Sequence, residues 1–448
     1  MINLGIDIGT TTICAVAYDL ASGKLLESVT KDNGSFIKEN GFDKLQDPKI
    51  ITKKVFELAE YLTAKYENIG SIGFTGQMHG ILYLDEGGEP LSPLFTWQDG
   101  RGNESFGETT YAEELSKLTG YKLASGFGNV THFYNLKNSL VPQNAAKYST
   151  IHSFLAMKLG GAKAPLLHTS DAASLGLFDL KANCFDEAAL NKAGIDPRFL
   201  PEVTDEPTIV GAYKGIPVCV ALGDNQASFI GSIKNEDSLL INIGTGAQIS
   251  MITEKDEISG ECEIRPLYSG KKIAVGSSLC GGRAYAVLKD FLSLVLKELG
   301  GIEAENLYKK MDELALSESK VLEVSTKFSG TRTNPTERGF IKGIGIDNFT
   351  PAALIKGTVD GIARELFELY ESIKDDNKKP SVIIGSGNGI RRSEPTKKAL
   401  SELFELPLMM PAHSEEAAFG AMLFSLAAAG IFESVAAAQN AGVHLIDA

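Results

Sequence analysis

The sequence INLGIDIGTTTICAVAYD, residues 2–19, opens the chain with two apolar, β-branched runs around the turn Gly9-Thr10-Thr11. This pattern predicts a β-hairpin. A similar pattern returns in residues 238–252, SLLINIGTGAQISMI, where the turn is Gly244-Thr245-Gly246. Both copies have the order strand, Ile-Gly-Thr, strand, so the sequence predicts that one supersecondary unit is used twice.

The internal repeat continues further along the chain. An apolar run enters a glycine turn at residues 71–77 and again at residues 382–388. Upstream of each run, residues 48–66 and 351–373 begin with proline and carry apolar residues at helical spacing, which predicts two helices. The sequence therefore predicts an α/β protein with two similar halves that flank a cleft. Because the chain turns polar at residues 232–238, we expect domains at 1–234 and 235–448.

Composition and charge restrict the class of protein and its partners. The 448 residues carry 43 Lys and Arg against 57 Asp and Glu, a formal net charge of −14. Nucleic acids and anionic membranes require a dense basic surface, so we expect neither as a partner. The five cysteines form no CxxC or Cys/His cluster and no signal-like segment precedes Asp7, which predicts a cytoplasmic protein. Ala417 to Phe432 is too short for a membrane span and predicts a buried helix.

The first turn is small and rich in hydroxyl groups. Its backbone N–H groups and the hydroxyls of Thr10 and Thr11 could approach phosphate oxygens, while Asp7 could hold a hydrated Mg²⁺ against them. The alternative is a plain hairpin in which Asp7 makes an Asx turn. The second copy has Asn242 at the position of Asp7, so we expect one metal-facing carboxylate rather than two.

Asp224 follows an apolar run, Pro217 to Leu222, and precedes a helix-like segment. A side chain at the carboxyl end of a buried strand points into the cleft of an α/β domain, where ligands bind. A kinase needs one carboxylate to accept the proton of the attacking hydroxyl, which makes Asp224 the candidate general base. Its alternative role is to cap the helix that follows, and both roles can hold together.

Two polar loops could form a sugar site. They contain Gln77, Met78, His79, Trp97, Asp99 and Arg101. Polar groups beside the only Trp of the chain suit a polyhydroxylated ligand, whose hydroxyls need hydrogen bonds and whose C–H faces stack on aromatic rings. In the structural alternative, His79 satisfies a turn, Trp97 fills core, and Asp99 pairs with Arg101 on the surface. The residues alone leave both interpretations open.

A second glycine-rich loop, residues 385–389, has the sequence GSGNG. Small residues at Gly385 and Gly387 let a purine lie close to the backbone, and Asn388 can hydrogen-bond to a ribose or a base edge. The alternative is an ordinary turn. The sequence contains no GxxxxGK[ST] motif, which excludes a P-loop as the phosphate-binding device.

With these motifs assembled, the chain resembles the FGGY carbohydrate kinases of the sugar-kinase, actin and heat-shock ATPase superfamily, in particular their sedoheptulokinase-like members. The resemblance extends nearly end to end. It rests on residues 7–11, 76–80, 96–101, 119–120, 125–128, 171–174, 221–228, 242–248 and 385–388.

The resemblance implies two ribonuclease H-like (actin-like ATPase) domains that flank a catalytic cleft, and ATP-dependent phosphorylation of a terminal sugar hydroxyl. It implies that Asp224 is the base and that Asp7 with Asp224 positions Mg²⁺. The other implied residues are Thr10, Thr11, Gly244, Thr245 and Gly246 for the phosphates, Gly385, Gly387 and Asn388 for the adenosine, and Gln77, Met78, His79, Trp97, Asp99 and Asn225 for the sugar.

For the substrate and the oligomeric state, the sequence leaves more than one possibility open. Gly246 stands where relatives usually have Ser, so one hydroxyl contact to the phosphates is missing from the pattern. Sedoheptulose is the expected substrate, with xylulose, ribulose or another ketose or polyol as the alternative. An alternative of a different class is a non-catalytic, actin-like nucleotide switch. We expect a monomer or a homodimer.

Overall fold

The structure is a computed structural model that describes residues 1–37, 41–258, 260–320, 322–375 and 378–448. Its strands are β1 (Ile2–Ile8), β2 (Thr12–Asp19), β3 (Lys24–Asp32), β4 (Leu45–Gln46), β5 (Ile69–Gly76), β6 (Leu82–Leu84), β7 (Leu94–Phe95), β8 (Ser105–Phe106), β9 (Thr109–Thr110), β10 (Lys147–Ser149), β11 (Leu166–His168), β12 (Phe178–Asp179), β13 (Cys184–Phe185), β14 (Glu202–Thr204), β15 (Ile209–Tyr213), β16 (Ile216–Cys219), β17 (Leu222–Gly223), β18 (Ser238–Ile243), β19 (Ala247–Thr253), β20 (Cys262–Pro266), β21 (Lys272–Ser278), β22 (Glu323–Val324), β23 (Ile341–Lys342), β24 (Val382–Ser386), β25 (Leu408–Pro411) and β26 (Leu445–Asp447).

The helices are α1 (Pro48–Lys65), α2 (Tyr111–Thr119), α3 (Gly128–Lys137), α4 (Ile151–Gly160), α5 (Thr169–Leu175), α6 (Glu187–Ala193), α7 (Asp224–Ser232), α8 (Gly281–Gly300), α9 (Leu307–Ser317), α10 (Pro351–Ile373), α11 (Asn388–Arg391), α12 (Glu394–Phe404), α13 (Glu416–Ala428) and α14 (Val435–Gly442). Within the described residues, no helix combines the length and the apolar character that crossing a membrane requires.

The chain forms two compact units. The first comprises Met1–Gly231, Arg265–Lys271 and Glu415–Gly442, and the second comprises Ser232–Ile264, Lys272–Ser414 and Val443–Ala448. The first unit therefore takes in two segments from beyond residue 234. The division of functions between residues 1–234 and 235–448 stays a prediction.

The main sheets of the two units repeat one topology. The first sheet has the strand order β15-β16-β5-β1-β2-β3, with β17 beside β5. The second has the order β26-β25-β24-β18-β19-β21-β20. In each, an antiparallel hairpin (β1–β2 or β18–β19) lies beside a parallel strand (β5 or β24). Both predicted hairpins and both strands that run into glycine turns are confirmed.

The two predicted helices are confirmed as α1 and α10. Helix α1 begins at Pro48, after Asp47 accepts a hydrogen bond from the backbone N–H of Lys49 over 2.8 Å. Helix α10 begins at Pro351, after the Thr350 hydroxyl accepts one from the N–H of Ala353 over 3.1 Å. These polar caps satisfy N–H groups that have no partner within the helix, and proline is well tolerated in the first turn.

The predicted buried helix is confirmed as α13, which belongs to the first unit and packs on β1 and β5. It approaches the sheet very closely, since a Cβ built on Gly5 would lie 1.9 Å from the carbonyl oxygen of Ala418. A Cβ on Gly73 would lie 1.9 Å from the carbonyl oxygen of Ala421. Only glycine allows backbone-to-backbone packing at this distance. Helix α13 thereby covers the strand that carries Asp7 and the strand that ends just before Gln77.

Candidate active site

The carboxyl ends of three neighbouring parallel strands bring the candidate catalytic groups to one edge of the first sheet. Strand β5 pairs with β1 at Ile8↔Gly76 and with β17 at Gly223↔Gly76. Asp7 lies one residue before the end of β1, and Asp224 begins α7 directly after β17. Ligands of open α/β sheets bind at this kind of edge.

The carboxyl groups of Asp7 and Asp224 both have raised pKa values, so negative charge at this edge of the sheet is unfavourable. Burial, the charge of Asp224 and the charge of Glu415 raise the pKa of Asp7 to about 7. Burial raises the pKa of Asp224 to about 6, while His152 and Arg265 act in the opposite direction. Asp7 Oδ1 is buried and has no hydrogen-bond partner among the described residues. The edge therefore holds buried carboxylate oxygen that a cation would satisfy.

His152 and Asp171 form a buried pair behind these carboxyl groups. His152 Nε2 lies 2.7 Å from Asp171 Oδ1, and neither side chain is exposed to solvent. The Ser153 hydroxyl also donates to Asp171, over 3.4 Å. Sequence reasoning missed His152 and Arg265 entirely. It quoted Asp171 only as part of a motif, because residues far apart in the chain carry no local signal of their pairing.

Gln77 joins the first turn to the predicted sugar loops. The Thr10 hydroxyl donates to Gln77 Oε1 over 3.3 Å and accepts from Trp97 Nε1 over 3.0 Å. Gln77 Nε2 donates to Gln46 Oε1 over 2.8 Å, and Gln46 Nε2 donates to the Thr10 carbonyl over 2.8 Å. Thr10, predicted for the phosphates, thus contacts two residues predicted for the sugar.

Met78 and His79 are fixed by residues from other elements. The His79 ring stacks on Phe127 with ring centres 4.6 Å apart, and its Nδ1 donates to the Ser174 carbonyl over 2.7 Å. Met78 packs on Gly223, where an added Cβ would lie 2.7 Å from the Met78 Cε. Trp97 is 46% exposed, so the alternative in which this ring fills core is wrong.

Asp99 is the centre of a buried ion pair. Its carboxylate accepts hydrogen bonds from Arg101 Nε over 2.5 Å, from Arg101 Nη2 over 3.3 Å and from the Lys44 backbone N–H over 3.1 Å. The Arg101 guanidinium also donates to Asn135 and stacks on the Phe95 ring. The pair with Arg101 was expected on the surface. It is buried instead, because three aromatic rings surround the guanidinium.

The second unit contains a cavity of about 790 Å³. Four predicted cofactor residues line it: Gly244, Thr245, Gly387 and Asn388. Helices α8 and α9 supply further lining residues, among them Tyr285, Tyr308 and Asp312. The sequence motifs did not indicate them, because single tyrosine and aspartate residues within a helix carry no recognisable binding pattern. Gly385, which was predicted with this group, packs against Ile390 and Leu408.

The turn Gly244-Thr245-Gly246, predicted to contact phosphates, is held by hydrogen bonds from the start of α8. Gly282 N–H donates to the Gly244 carbonyl over 2.9 Å, and Arg283 N–H donates to the Thr245 carbonyl over 3.0 Å. A Cβ on Gly281 would lie 2.5 Å from the carbonyl oxygen of Gly246. The glycines at the start of α8 therefore permit the helix to approach the turn.

Comparison with known proteins identifies the class to which this fold and these residues belong. The N-terminal domain model of the FGGY family of carbohydrate kinases matches residues 2–231, and the C-terminal domain model matches residues 239–429. The chain therefore belongs to the FGGY family. It is a kinase, a phosphotransferase with an alcohol group as acceptor, and carbohydrate kinases use ATP, generally with Mg²⁺.

Individual relatives differ in the substrate that their names give. The chain is 27% identical to sedoheptulokinase of Mus musculus over 472 residues, covering 95% of this chain and 97% of the relative. It is 24% identical to xylulose kinase of Staphylococcus xylosus, covering 94% and 90%. The crystal structure of gluconate kinase from Lactobacillus acidophilus superposes with a TM-score of 0.85 at 20% identity, covering 100% and 92%. The predicted two-domain actin-like ATPase fold is confirmed, and the substrate is not settled.

Proposed function

We propose that this kinase transfers the γ-phosphoryl group of ATP to a terminal hydroxyl of a ketose, with sedoheptulose as the first candidate and sedoheptulose 7-phosphate as the product. The candidate rests on end-to-end similarity to a sedoheptulokinase. A pentulose such as xylulose is the alternative, because a xylulose kinase is also similar over 94% of the chain. The observation that supports catalysis most directly is the pair of partly buried carboxyl groups, Asp7 and Asp224, at the ends of β1 and β17, the two strands that flank the end of β5.

Asp224 would act as the general base. The substrate hydroxyl oxygen attacks the γ-phosphorus, the bond from phosphorus to the leaving ADP oxygen breaks, and the hydroxyl proton passes to Asp224. A carboxyl with a pKa of about 6 is largely ionised near neutral pH and is a stronger base than an exposed aspartate. Its position at the start of α7 keeps the carboxyl fixed on a regular element.

Asp7, together with Asp224, would hold Mg²⁺. The fit is supported by the buried Asp7 Oδ1 that has no partner among the described residues, and carboxylate oxygen is a preferred ligand of Mg²⁺. When bound, Mg²⁺ supplies charge neutralisation for the phosphate oxygens. Cationic charge would also offset the repulsion that raises the pKa of Asp7.

The cavity of the second unit would receive the nucleotide. Gly244, Thr245 and Gly246 would contact the phosphates with Thr10 and Thr11, while Gly385, Gly387 and Asn388 would form the adenosine side. The aromatic rings of Tyr285 and Tyr308 offer flat apolar surface of the kind that a base packs against. Residues 235–448 would then carry the second phosphate hairpin and the adenosine pocket, and residues 1–234 the sugar site, the base and the first phosphate hairpin.

The sugar would bind beside the Gln77 network. The lining residues would be Gln77, Met78, His79, Trp97, Asp99 and Asn225. Asn225 Oδ1 is buried and lacks a partner within the described part of the chain, so a sugar hydroxyl could donate to it. Asp99 would contribute only by exchanging one of its present hydrogen bonds.

The test is ADP formation with a panel of heptuloses, pentuloses and polyols, comparing the wild type with Asp224→Ala. We expect sedoheptulose to stimulate turnover most, and Asp224→Ala to lower kcat at least about 100-fold, the usual contribution of a general base. Asp32→Ala, which removes an exposed carboxylate from β3, is the matched control. Absence of any sugar-stimulated turnover in the wild type would instead support the non-catalytic nucleotide switch.

A further inference from the structure

Helix α8 carries an exposed apolar stripe. Its members, which recur at helical spacing, are Val287, Phe291, Leu294, Val295 and Leu299, followed by Ile302 just beyond the helix. Phe291 is 53% exposed, Leu294 58% and Leu299 85%. Leu288, seven residues before Val295 and so on the same side of the helix, packs into a small core with Met311 and Ile355. The buried residues of α8 all lie in its first half, ending with Leu288, and the apolar side of the helix is exposed beyond them.

A stripe of this size needs an explanation. Surface helices of globular proteins normally turn charged residues to solvent, and exposed apolar patches of several hundred Å² mark interaction sites. The nucleotide cavity does not account for it, because Val287, Phe291 and Leu294 are not among the residues that line that cavity.

Charged residues beside the stripe indicate which partner fits. Asp290 and Lys297 are seven residues apart, so they lie on the same flank of the helix, two turns from one another. In an antiparallel pair of α8 helices centred between Ser293 and Leu294, Lys297 stands opposite Asp290 of the second copy. Two-fold symmetry repeats this contact, since an isologous interface pairs each residue twice.

We propose that the exposed stripe of α8 is a homodimer interface, in which α8 pairs antiparallel with α8 of a second copy and Asp290 pairs with Lys297 across the two-fold axis. In the single chain these side chains make only exposed contacts, Asp290 with Lys289 and Lys297 with Glu303. Exposed ion pairs of this kind are weak and exchange readily.

The charge of the helix favours a second copy over a strongly charged partner. The whole chain carries −14, but α8 has three basic residues, Arg283, Lys289 and Lys297, against two acidic ones, Asp290 and Glu298. The net charge of α8 is therefore close to zero although the whole chain is acidic. Two copies of the helix can approach each other without strong repulsion between like charges. The helix also has no basic cluster for an acidic partner or a membrane surface.

The oligomeric state of the full chain tests the proposal, measured by sedimentation velocity over a wide range of protein concentrations. We expect a dimer for the wild type. Leu294→Glu should weaken it at least about 100-fold, because the two introduced charges face each other near the axis. Leu140→Glu is the matched control, since Leu140 is 55% exposed on the first unit and its substitution should leave the dimer intact.

Charge reversal tests the register independently of folding. Asp290→Lys and Lys297→Asp should each weaken the dimer about tenfold, because two attractive contacts become repulsive. The double variant that combines them should restore wild-type association. A wild type that stays monomeric throughout, a dimer that Leu294→Glu leaves intact, or a double variant no tighter than the single ones would overturn the proposal. If Leu294→Glu does not fold, the exposed charge variants still decide the question.

Discussion

The two hairpins of the molecule differ at one matching position. Asp7 stands one residue before the end of β1 and pairs in register with Thr75 of β5. Asn242 stands one residue before the end of β18 and pairs in register with Ser386 of β24. Asn242 Nδ2 donates to the Ser386 hydroxyl over 2.7 Å, whereas Asp7 Oδ1 is buried without a partner in the described part of the chain.

This difference separates a strand end whose polar side chain already has a partner from a strand end suited to a cation. The Asn242 amide at the strand end finds its hydrogen-bond partner in a neighbouring hydroxyl, so this side chain needs no ligand. A buried carboxylate needs a donor or a cation to offset its desolvation. The two hairpins thus share one backbone arrangement, but their strand-end side chains differ, because only the carboxylate of the first needs a cation or a further hydrogen-bond donor.

Replacing Asp7 by Asn should have the largest effect, because it makes the first hairpin resemble the second. We expect kcat to fall about 1,000-fold at saturating sugar and ATP, since loss of a metal ligand removes several kcal/mol of transition-state stabilisation. Steady-state kinetics with a Mg²⁺ titration measures this effect. Asp32→Asn serves as the control, and an Asp7→Asn enzyme within threefold of the wild type would refute the role.

The stability of the Asp7→Asn variant should not fall with its activity. With EDTA present, Asp7→Asn should unfold at the same or a higher denaturant concentration than the wild type, because a poorly satisfied buried carboxylate is removed. Equilibrium unfolding separates this outcome from a damaged fold, which would lower both activity and stability.

The glycines beside Asp7 provide the next test. Gly5 and Gly73 bring the first sheet against α13, while the matching residues of the second sheet are Leu240 and Ile384, both buried. Gly5→Ala should lower the free energy of unfolding by about 3 kcal/mol or more, since the new methyl group meets the Ala418 carbonyl. Leu240→Ala should cost about 2–5 kcal/mol by the opposite mechanism, a cavity. Urea unfolding compares them, and a neutral Gly5→Ala would contradict the close packing.

Asn242→Asp is the reciprocal exchange and should have a smaller effect. A carboxylate at this position cannot donate to the Ser386 hydroxyl as the amide does, and that hydroxyl would have to turn and donate instead, so we expect about 1–3 kcal/mol of destabilisation. Asn242→Ser, which keeps a polar group without charge, is the control. The expectation fails if the Asp variant is as stable as the wild type at pH 7.

A buried histidine of the first unit should make the stability of the protein depend on pH. Burial lowers the pKa of His132 to about 4, and its Nδ1 lies 2.8 Å from the Tyr83 hydroxyl, which accepts from Asn135 and is free to donate to the ring. The unfolded chain binds the proton near pH 6.5, so this contribution to stability is present above pH 6.5 and is lost as the pH falls toward 4.

The expected loss from His132 between pH 7 and pH 5 is about 2 kcal/mol. His132→Gln keeps a polar group for Tyr83 but does not titrate, so its unfolding free energy should change less over this range. Urea unfolding at several pH values measures the difference between the two slopes. Equal slopes would mean that His132 is not the group responsible.

Local patterns predicted the elements that form locally. The hairpins, the helices after Asp47 and Thr350, and the strand before Asp224 follow from alternating apolar residues, caps and proline. The FGGY family was recognised from short motifs in order. What the sequence could not show were pairings over distance, such as His152 with Asp171, the approach of Arg265 to Asp224, and the aromatic enclosure of Arg101.

The residue assignments of the active site stay predictions. Of the residues predicted for the cofactor, Gly244, Thr245, Gly387 and Asn388 line one cavity. The sequence motifs did not indicate the part of the cavity that α8 and α9 line, because Tyr285 and Tyr308 resemble the aromatic residues of any amphipathic helix. Thr10 illustrates the same limit, since its hydroxyl contacts depend on Gln77 and Trp97 from distant loops.

The packing of α13 on β1 and β5 determines when the first unit can become complete on the ribosome. Its sheet begins with Ile2, yet the helix that covers that sheet begins at Glu416. At about 5–20 residues per second, synthesis of the intervening chain takes roughly 20–80 s. During that interval the apolar face around Gly5 and Gly73 lacks its cover, and exposed apolar surface of this kind is prone to aggregation until α13 emerges.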